Sequence, residues 1–262
     1  MSELKNFDRM FRLNGKVVLV TGGSRGLGFH TATAFLLAGA SKVFISARKN
    51  AGAQGIDQAV GKLNKLPVSG KAIGIAANVA DTDDIERLVK EVQKTTDKPD
   101  IPVRNAGATC GGPFEPTPDS SSKKVLDLNV RGVLNLARLF TPLLEKAGSR
   151  ADPSRIILVS SVAGTTVAHV GEHGTIMYSV SKAAAHHLSR QLAVELGPRN
   201  ITTKYRGQRE LADWNPRKRL GEPEDIASVM VYLASPAGAY VNGEDIAVDG
   251  GARYVAGRQL KL

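Results

Sequence analysis

Cysteine is nearly absent. The chain of 262 residues holds one, Cys110, so no intramolecular disulfide can form. That places the protein, as an expectation, in a reducing compartment, most simply the cytosol. Long apolar runs are also missing. The strongest, Val17-Val18-Leu19-Val20, is strand-sized and far too short to span a bilayer. The first 13 residues mix charges with isolated apolar side chains and show no signal-peptide core. The final Lys261-Leu262 is similar to a peroxisomal ending, but Leu260 before it is not the small residue that address requires. Aromatic residues are only 5% of the chain, so no aromatic-rich basic stripe supports nucleic-acid binding, although the net charge is +10. Carboxylates are missing from one long stretch: none lies between Asp8 and Asp57, where Arg9, Arg12, Lys16, Arg25, Lys42, Arg48 and Lys49 all fall.

What remains is an ordinary globular composition, with 42% hydrophobic and 23% charged residues. A chain this long buries a sizeable core without metals or disulfides. Short β-rich runs at 16–20, 42–47, 71–76, 100–103, 155–160, 201–205 and 245–248 alternate with helical patterns. Most are continuous apolar runs, the pattern of strands covered on both faces. Ile85, Leu88, Val89 and Val92 make a helical stripe, and Ile226, Val229, Met230 and Leu233 make another behind Pro223. This alternation predicts one α/β domain over 1–262, with its core at about 13–251, built as a Rossmann-type doubly wound sheet of seven parallel strands.

Thr21-Gly22-Gly23-Ser24-Arg25-Gly26-Leu27-Gly28 follows the first strand and opens a helix. Glycines let the backbone turn sharply and approach a phosphate, and the helix behind them offers free N–H groups and a positive dipole end. No Gly-Lys-Ser/Thr closes the motif, which disfavours a nucleoside-triphosphate loop. The second strand ends at Ala47-Arg48, about 20 residues on, where dinucleotide folds carry an acid for the ribose 2′-hydroxyl or an Arg for a 2′-phosphate. Arg25 and Arg48, with Lys49 nearby and no carboxylate in reach, point to NADP(H) over NAD.

Further pieces follow in order: Asn78-Val79, Asn105-Ala106-Gly107, Asn129, Ser161, Tyr178-Ser179-Val180-Ser181-Lys182, and Asp249-Gly250-Gly251. With the glycine loop they resemble the classical short-chain dehydrogenase/reductase family over most of the chain. Gly238-Ala239-Tyr240-Val241-Asn242-Gly243 is similar to its 3-oxoacyl (β-ketoacyl) reductase branch. Tyr178 and Lys182 are four apart and so share a helix face. An ammonium there lowers the tyrosine pKa, preparing it to give or take a proton.

The resemblance implies a catalytic set of Ser161, Tyr178, Lys182 and Asn129. Ser161 holds the carbonyl oxygen, Lys182 also holds the nicotinamide ribose, and Asn129 anchors a water in a relay to Lys182. Ser160 competes with Ser161, but Ser161 precedes the small-residue turn Val162-Ala163-Gly164. The implied cofactor contacts are Gly22, Ser24, Arg25, Gly26, Leu27, Gly28, Arg48, Asn78, Val79, Asn105, Ala106, Gly107, Tyr178 and Lys182. Family members pair through the helix carrying the tyrosine, so a homodimer or homotetramer is expected. His169 and His173 are four apart, but no third ligand is evident and no metal is expected. Cys110 reads as a small loop residue, and His186 and His187 as packing or interface residues.

The pattern breaks in two places. The fourth strand reads Ile101-Pro102-Val103-Arg104, where the family has an apolar residue at 102 and Asn at 104. After Ile201-Thr202-Thr203, Lys204-Tyr205-Arg206-Gly207-Gln208-Arg209 replaces a Pro-Gly turn and much of the usual substrate lid. The expected function is therefore an NADPH-dependent ketoreductase that turns a ketone into a secondary alcohol, with a β-ketoacyl, polyketide-like or other secondary-metabolite carbonyl as substrate. It is expected in the cytoplasm, without nucleic-acid or membrane partners. The alternative is a catalytically impaired NADP-binding protein with a shortened lid.

Overall fold

The computed structural model describes residues 6–167, 170–207 and 215–254. Seven strands, β1 (Val17–Thr21), β2 (Lys42–Ala47), β3 (Lys71–Ala76), β4 (Ile101–Arg104), β5 (Ser154–Val159), β6 (Ile201–Gly207) and β7 (Asp245–Ala247), form one sheet in the order β3-β2-β1-β4-β5-β6-β7. Every pairing is parallel. The order reverses between β1 and β4. A doubly wound sheet opens a crevice at that switch point, at the carboxyl ends of its strands.

Among the described residues seven α-helices cover the two faces: α1 (Gly26–Leu37), α2 (Ile56–Leu63), α3 (Thr82–Gln93), α4 (Asp119–Leu126), α5 (Gly132–Ala147), α6 (Ile176–Leu196) and α7 (Pro223–Ala234). Strand side chains alternate between two cores. Val17 and Leu19 pack with α3, α5 and Leu196 of α6. Val18 and Val20 pack with α1, α2 and α7. All five residues of β1 are buried, as a strand covered on both faces requires.

The two stripes read from the sequence are core. Ile85, Leu88, Val89 and Val92 are buried, and Asp81 caps their helix by accepting from Asp84 N at 3.0 Å. Ile226, Met230 and Leu233 are buried, with Val229 packed against them. Pro223 opens that helix behind a reciprocal capping pair, Glu222 and Asp225. Between α4 and α5 the chain makes a π turn, Asp127–Arg131, which carries Asn129.

Both breaks in the pattern are accommodated inside strands. Pro102 is buried in β4 opposite Leu19 of β1. Strand β6 runs on through the expected turn at Lys204, ends at Gly207 and pairs with β7. The rest of the segment expected to replace the lid, 208–214, lies outside the described residues.

Candidate active site

Asn105 binds the two loops at the switch point together. Its side-chain nitrogen donates to Thr21 O at 2.9 Å and Gly22 O at 3.2 Å, and its backbone N–H donates to Thr21 Oγ1 at 3.1 Å. Gly22 and Gly26 have φ of +66° and +52°, the left-handed region that glycine adopts without strain. At Gly28 a Cβ would stand 2.3 Å from Gly22 O, so the loop closes onto the helix start only with glycine there.

Above this junction lies a groove of about 780 Å³. Gly22, Ser24, Arg25, Gly26, Leu27, Gly28, Arg48, Asn78, Val79, Asn105, Ala106 and Gly107 all line it. Backbone turns at a helix start, two arginines and no lining carboxylate make a bed for a long anionic ligand, so the residues present fit a phosphorylated dinucleotide. Arg25 Nη1 donates to Gln54 Oε1, and Arg48 is exposed at the end of β2. Lys124 and Leu128 also line the groove. Sequence reading missed both, because a lysine on a polar helix carries no signal that separates it from a solvated one.

Gly107 lies between the groove and two residues of the expected catalytic set. A Cβ on it would lie 3.4 Å from Asn129 Oδ1 and 3.5 Å from Lys182 Nζ. Lys182 Nζ donates to Val159 O at 3.4 Å and stands 5.5 Å from the centre of the Tyr178 ring. The Ser161 hydroxyl hydrogen-bonds Tyr178, whereas Ser160 Oγ donates to Lys182 O at 3.3 Å. The side chain of Asn129 is committed to protein groups. It accepts from Ala108 N at 3.1 Å and donates to Ala108 O at 2.8 Å and Ser181 Oγ at 3.1 Å. It therefore ties the loop after β4 to α6.

The titration of the pair departs from the simple expectation. Burial pushes the Tyr178 phenol up, against the hydrogen bond from Ser161 that lowers it. Lys182 is itself driven down to about 7, first by burial and then by the charge of Arg104. An amine near neutrality is a weak counter-charge, so the phenolate gains little from it.

His186, one turn beyond Lys182 on α6 and expected from the sequence to serve packing or an interface, is buried beside two acceptors. Its Nδ1 lies 3.1 Å from Asp245 Oδ2 and its Nε2 3.2 Å from Ser161 O, so it ties the backbone of Ser161 to β7. Burial lowers its pKa, while Asp245 and the Ser161 carbonyl favour the charged ring. His187 is exposed and contacts Gln191. His173 lies in an exposed 3₁₀ turn, and His169 is outside the described residues. Among the described residues no group of three His, Cys, Asp or Glu side chains is placed to hold a metal ion.

Comparison with known proteins settles the family. The short chain dehydrogenase model matches residues 16–205, and the enoyl-(acyl carrier protein) reductase model matches 203–253. The chain belongs to the short-chain dehydrogenase family. It is an oxidoreductase with the Rossmann fold of that family. It is 35% identical to the rhamnolipids biosynthesis 3-oxoacyl-[acyl-carrier-protein] reductase of Pseudomonas aeruginosa, over 92% of this chain and 97% of that one. It is 31% identical to the 3alpha-hydroxysteroid dehydrogenase of Mediterraneibacter gnavus, over 92% and 98%. Among solved structures, the Pseudomonas aeruginosa RhlG/NADP active-site complex superposes with a TM-score of 0.85 at 34% identity, covering 94% of this chain and 99% of that one. In this short-chain dehydrogenase no described helix is long and apolar enough to cross a membrane.

Proposed function

We propose that this short-chain dehydrogenase is an NADPH-dependent ketoreductase acting on a β-ketoacyl, polyketide-like or other secondary-metabolite ketone. The observation that carries the reading is the groove that joins Arg25 and Arg48, through Gly107, to Lys182 and Asn129. Bound in the groove, NADPH would supply the hydride for the carbonyl carbon. Arg25 and Arg48, which line the groove, would hold its 2′-phosphate, and the N–H groups at the start of α1 would take the pyrophosphate. Ser161 donates a hydrogen bond to the carbonyl oxygen. Tyr178 gives that oxygen its proton and becomes a phenolate, which the hydrogen bond from Ser161 stabilises. Asn129 holds the loop after β4 against the helix that carries Tyr178. The identity to a 3-oxoacyl-[acyl-carrier-protein] reductase, and the likeness to an NADP complex, support the substrate class and the cofactor. By resemblance, two or four copies assemble through α6.

The deciding experiment is a fluorescence titration of the purified protein with NADPH and NADH, followed by a carbonyl panel that includes β-ketoacyl thioesters. NADPH binding at least about tenfold tighter than NADH, with turnover of a β-ketoacyl substrate, is the expected result. Equal affinity would remove the roles of Arg25 and Arg48. NADPH binding with no turnover on the panel would favour the impaired, cofactor-binding alternative.

A further inference from the structure

Ser161 lies past Val159, the last residue of β5, and so beyond the ladder that fixes that strand. Its hydroxyl must still stand against Tyr178, and a hydroxyl is placed no better than the backbone that carries it. Helix α6 holds this segment at several points. Ser160 Oγ donates to Lys182 O at 3.3 Å. Gly164 closes the 3₁₀ turn Val162–Gly164 so tightly on the helix that a Cβ on it would lie 2.7 Å from Ala183 N and 2.9 Å from His186 Nε2. His186 Nε2 itself meets Ser161 O at 3.2 Å. A carbonyl has no proton to give, so that bond is a donation from the ring.

Tyr178, Lys182 and His186 are spaced four apart along α6 and share one face. The same helix therefore grips Ser161 from two sides. The hydroxyl hydrogen-bonds Tyr178, and the carbonyl accepts from His186. His186 is buried and is held from behind. Asp245 Oδ2, at the start of β7, lies 3.1 Å from its Nδ1 and also accepts from Arg190 Nη2 at 3.0 Å. Packing alone would need only an apolar body at this place. A ring with a polar partner at each nitrogen has its orientation fixed, and it passes that fixity to the backbone it touches.

We propose that His186 is a positioning residue of the reaction: by holding Ser161 O it sets where the Ser161 hydroxyl stands against Tyr178 and the substrate carbonyl. The catalytic consequence rests on the ketoreductase reading, whereas the bond itself concerns the protein alone.

Two substitutions separate the two ends of the ring. The amide nitrogen of Gln stands as many bonds from Cβ as Nε2 does, and that of Asn as many as Nδ1 does. His186→Gln therefore keeps a donor for Ser161 O, and His186→Asn keeps only the link to Asp245. Single-turnover oxidation of NADPH by a β-ketoacyl thioester is expected to slow by about 10–100-fold in His186→Asn and by no more than about threefold in His186→Gln, with NADPH affinity within about twofold of wild type in both. Equal slowing in the two variants, or none in His186→Asn, would make His186 a structural link between α6 and β7 and overturn the proposal. A second measurement needs neither variant. In wild type carrying ¹⁵N-labelled histidine, with His186 assigned by replacing the other histidines in turn, Nε2 is expected to carry a proton that exchanges slowly with water. A bare Nε2 cannot donate to Ser161 O, so that signal overturns the proposal even where His186→Asn does not fold. If the wild type reduces no ketone, the ketoreductase reading fails by itself, and the histidine spectrum still decides whether His186 holds Ser161.

Discussion

Tyr178 concentrates the chemistry in one hydroxyl. Removing that hydroxyl leaves the ring, its packing and the groove in place, so Tyr178→Phe should keep NADPH binding within about twofold of wild type. Its kcat should fall by about 10²–10⁴, the usual worth of a positioned proton donor. A stopped-flow and fluorescence comparison of the two proteins checks both halves. Retained turnover would remove the tyrosine from the mechanism. At the other end of the groove, Arg48→Ala should weaken NADPH binding by about tenfold or more and leave NADH binding nearly unchanged, since only the 2′-phosphate distinguishes the two. Paired titrations read this directly.

The residues that bear on these outcomes were legible in the sequence because each follows a readable signal: glycines after an apolar strand, and Tyr and Lys on one helix face. His186 and Lys124 carried no such signal. Their parts depend on which side chains face them across the fold, and spacing along the chain does not encode that. Arg104 was visible as a misplaced charge. Only packing shows that it is turned to Leu128 O, in the turn that carries Asn129.

At the scale of elements, the strands were the easiest to read, since continuous apolar runs such as Val17-Val18-Leu19-Val20 admit little else in an α/β pattern. Helix α4 was not read: Asp119-Ser120-Ser121-Ser122-Lys123-Lys124-Val125-Leu126 buries only Val125, so it shows no stripe. The π turn after it is also invisible to periodicity, because its i→i+5 bonds follow from what Asn129 and Leu128 meet in the folded chain. Strand β4 shows what a single residue costs an element. Asp100 N donates to Val17 O, and alternate positions of a parallel strand address the same neighbour, so an N–H at 102 would face Leu19 O. Proline has none. Pro102→Val restores a donor to a buried carbonyl, a gain of about 1–3 kcal/mol. It loses the restriction proline places on the unfolded chain, about 0.4–1 kcal/mol. The bond outweighs the entropy, so Pro102→Val should stabilise the protein by about 1 kcal/mol. Urea unfolding at fixed pH measures it, and a lowered midpoint would show that β4 is built around the proline ring.

The whole molecule is held at its C-terminal side by an unusual group. Lys204, fully buried in β6, donates to Leu233 O at 2.6 Å near the end of α7 and to Gly238 O at 2.5 Å in the turn that follows. In the sequence this lysine marks the point where the expected Pro-Gly turn is lost. In the fold it fastens α7 and the turn after it to the sheet. Two carbonyls are satisfied by the two N–H groups of a neutral amine, and burial, followed by the charge of Arg155, brings Lys204 down to about 7. Its folded pKa thus lies below the unfolded value near 10.4. Below pH 7 both states hold the proton, and the cost of a buried ammonium is present in full. Between about 7 and 10.4 the unfolded chain binds a proton that the folded chain does not, so stability rises with pH, by up to about 1.4 kcal/mol per pH unit for this group. Lys204→Met removes that contribution while keeping the volume. Urea midpoints of wild type and variant, measured from pH 6 to 9.5, should therefore diverge as pH increases. The wild type gains on the variant at each step because its two hydrogen bonds persist while the charge penalty fades. Parallel curves would mean that Lys204 stays an ammonium in the folded protein and that the two carbonyls solvate it well enough to offset its burial.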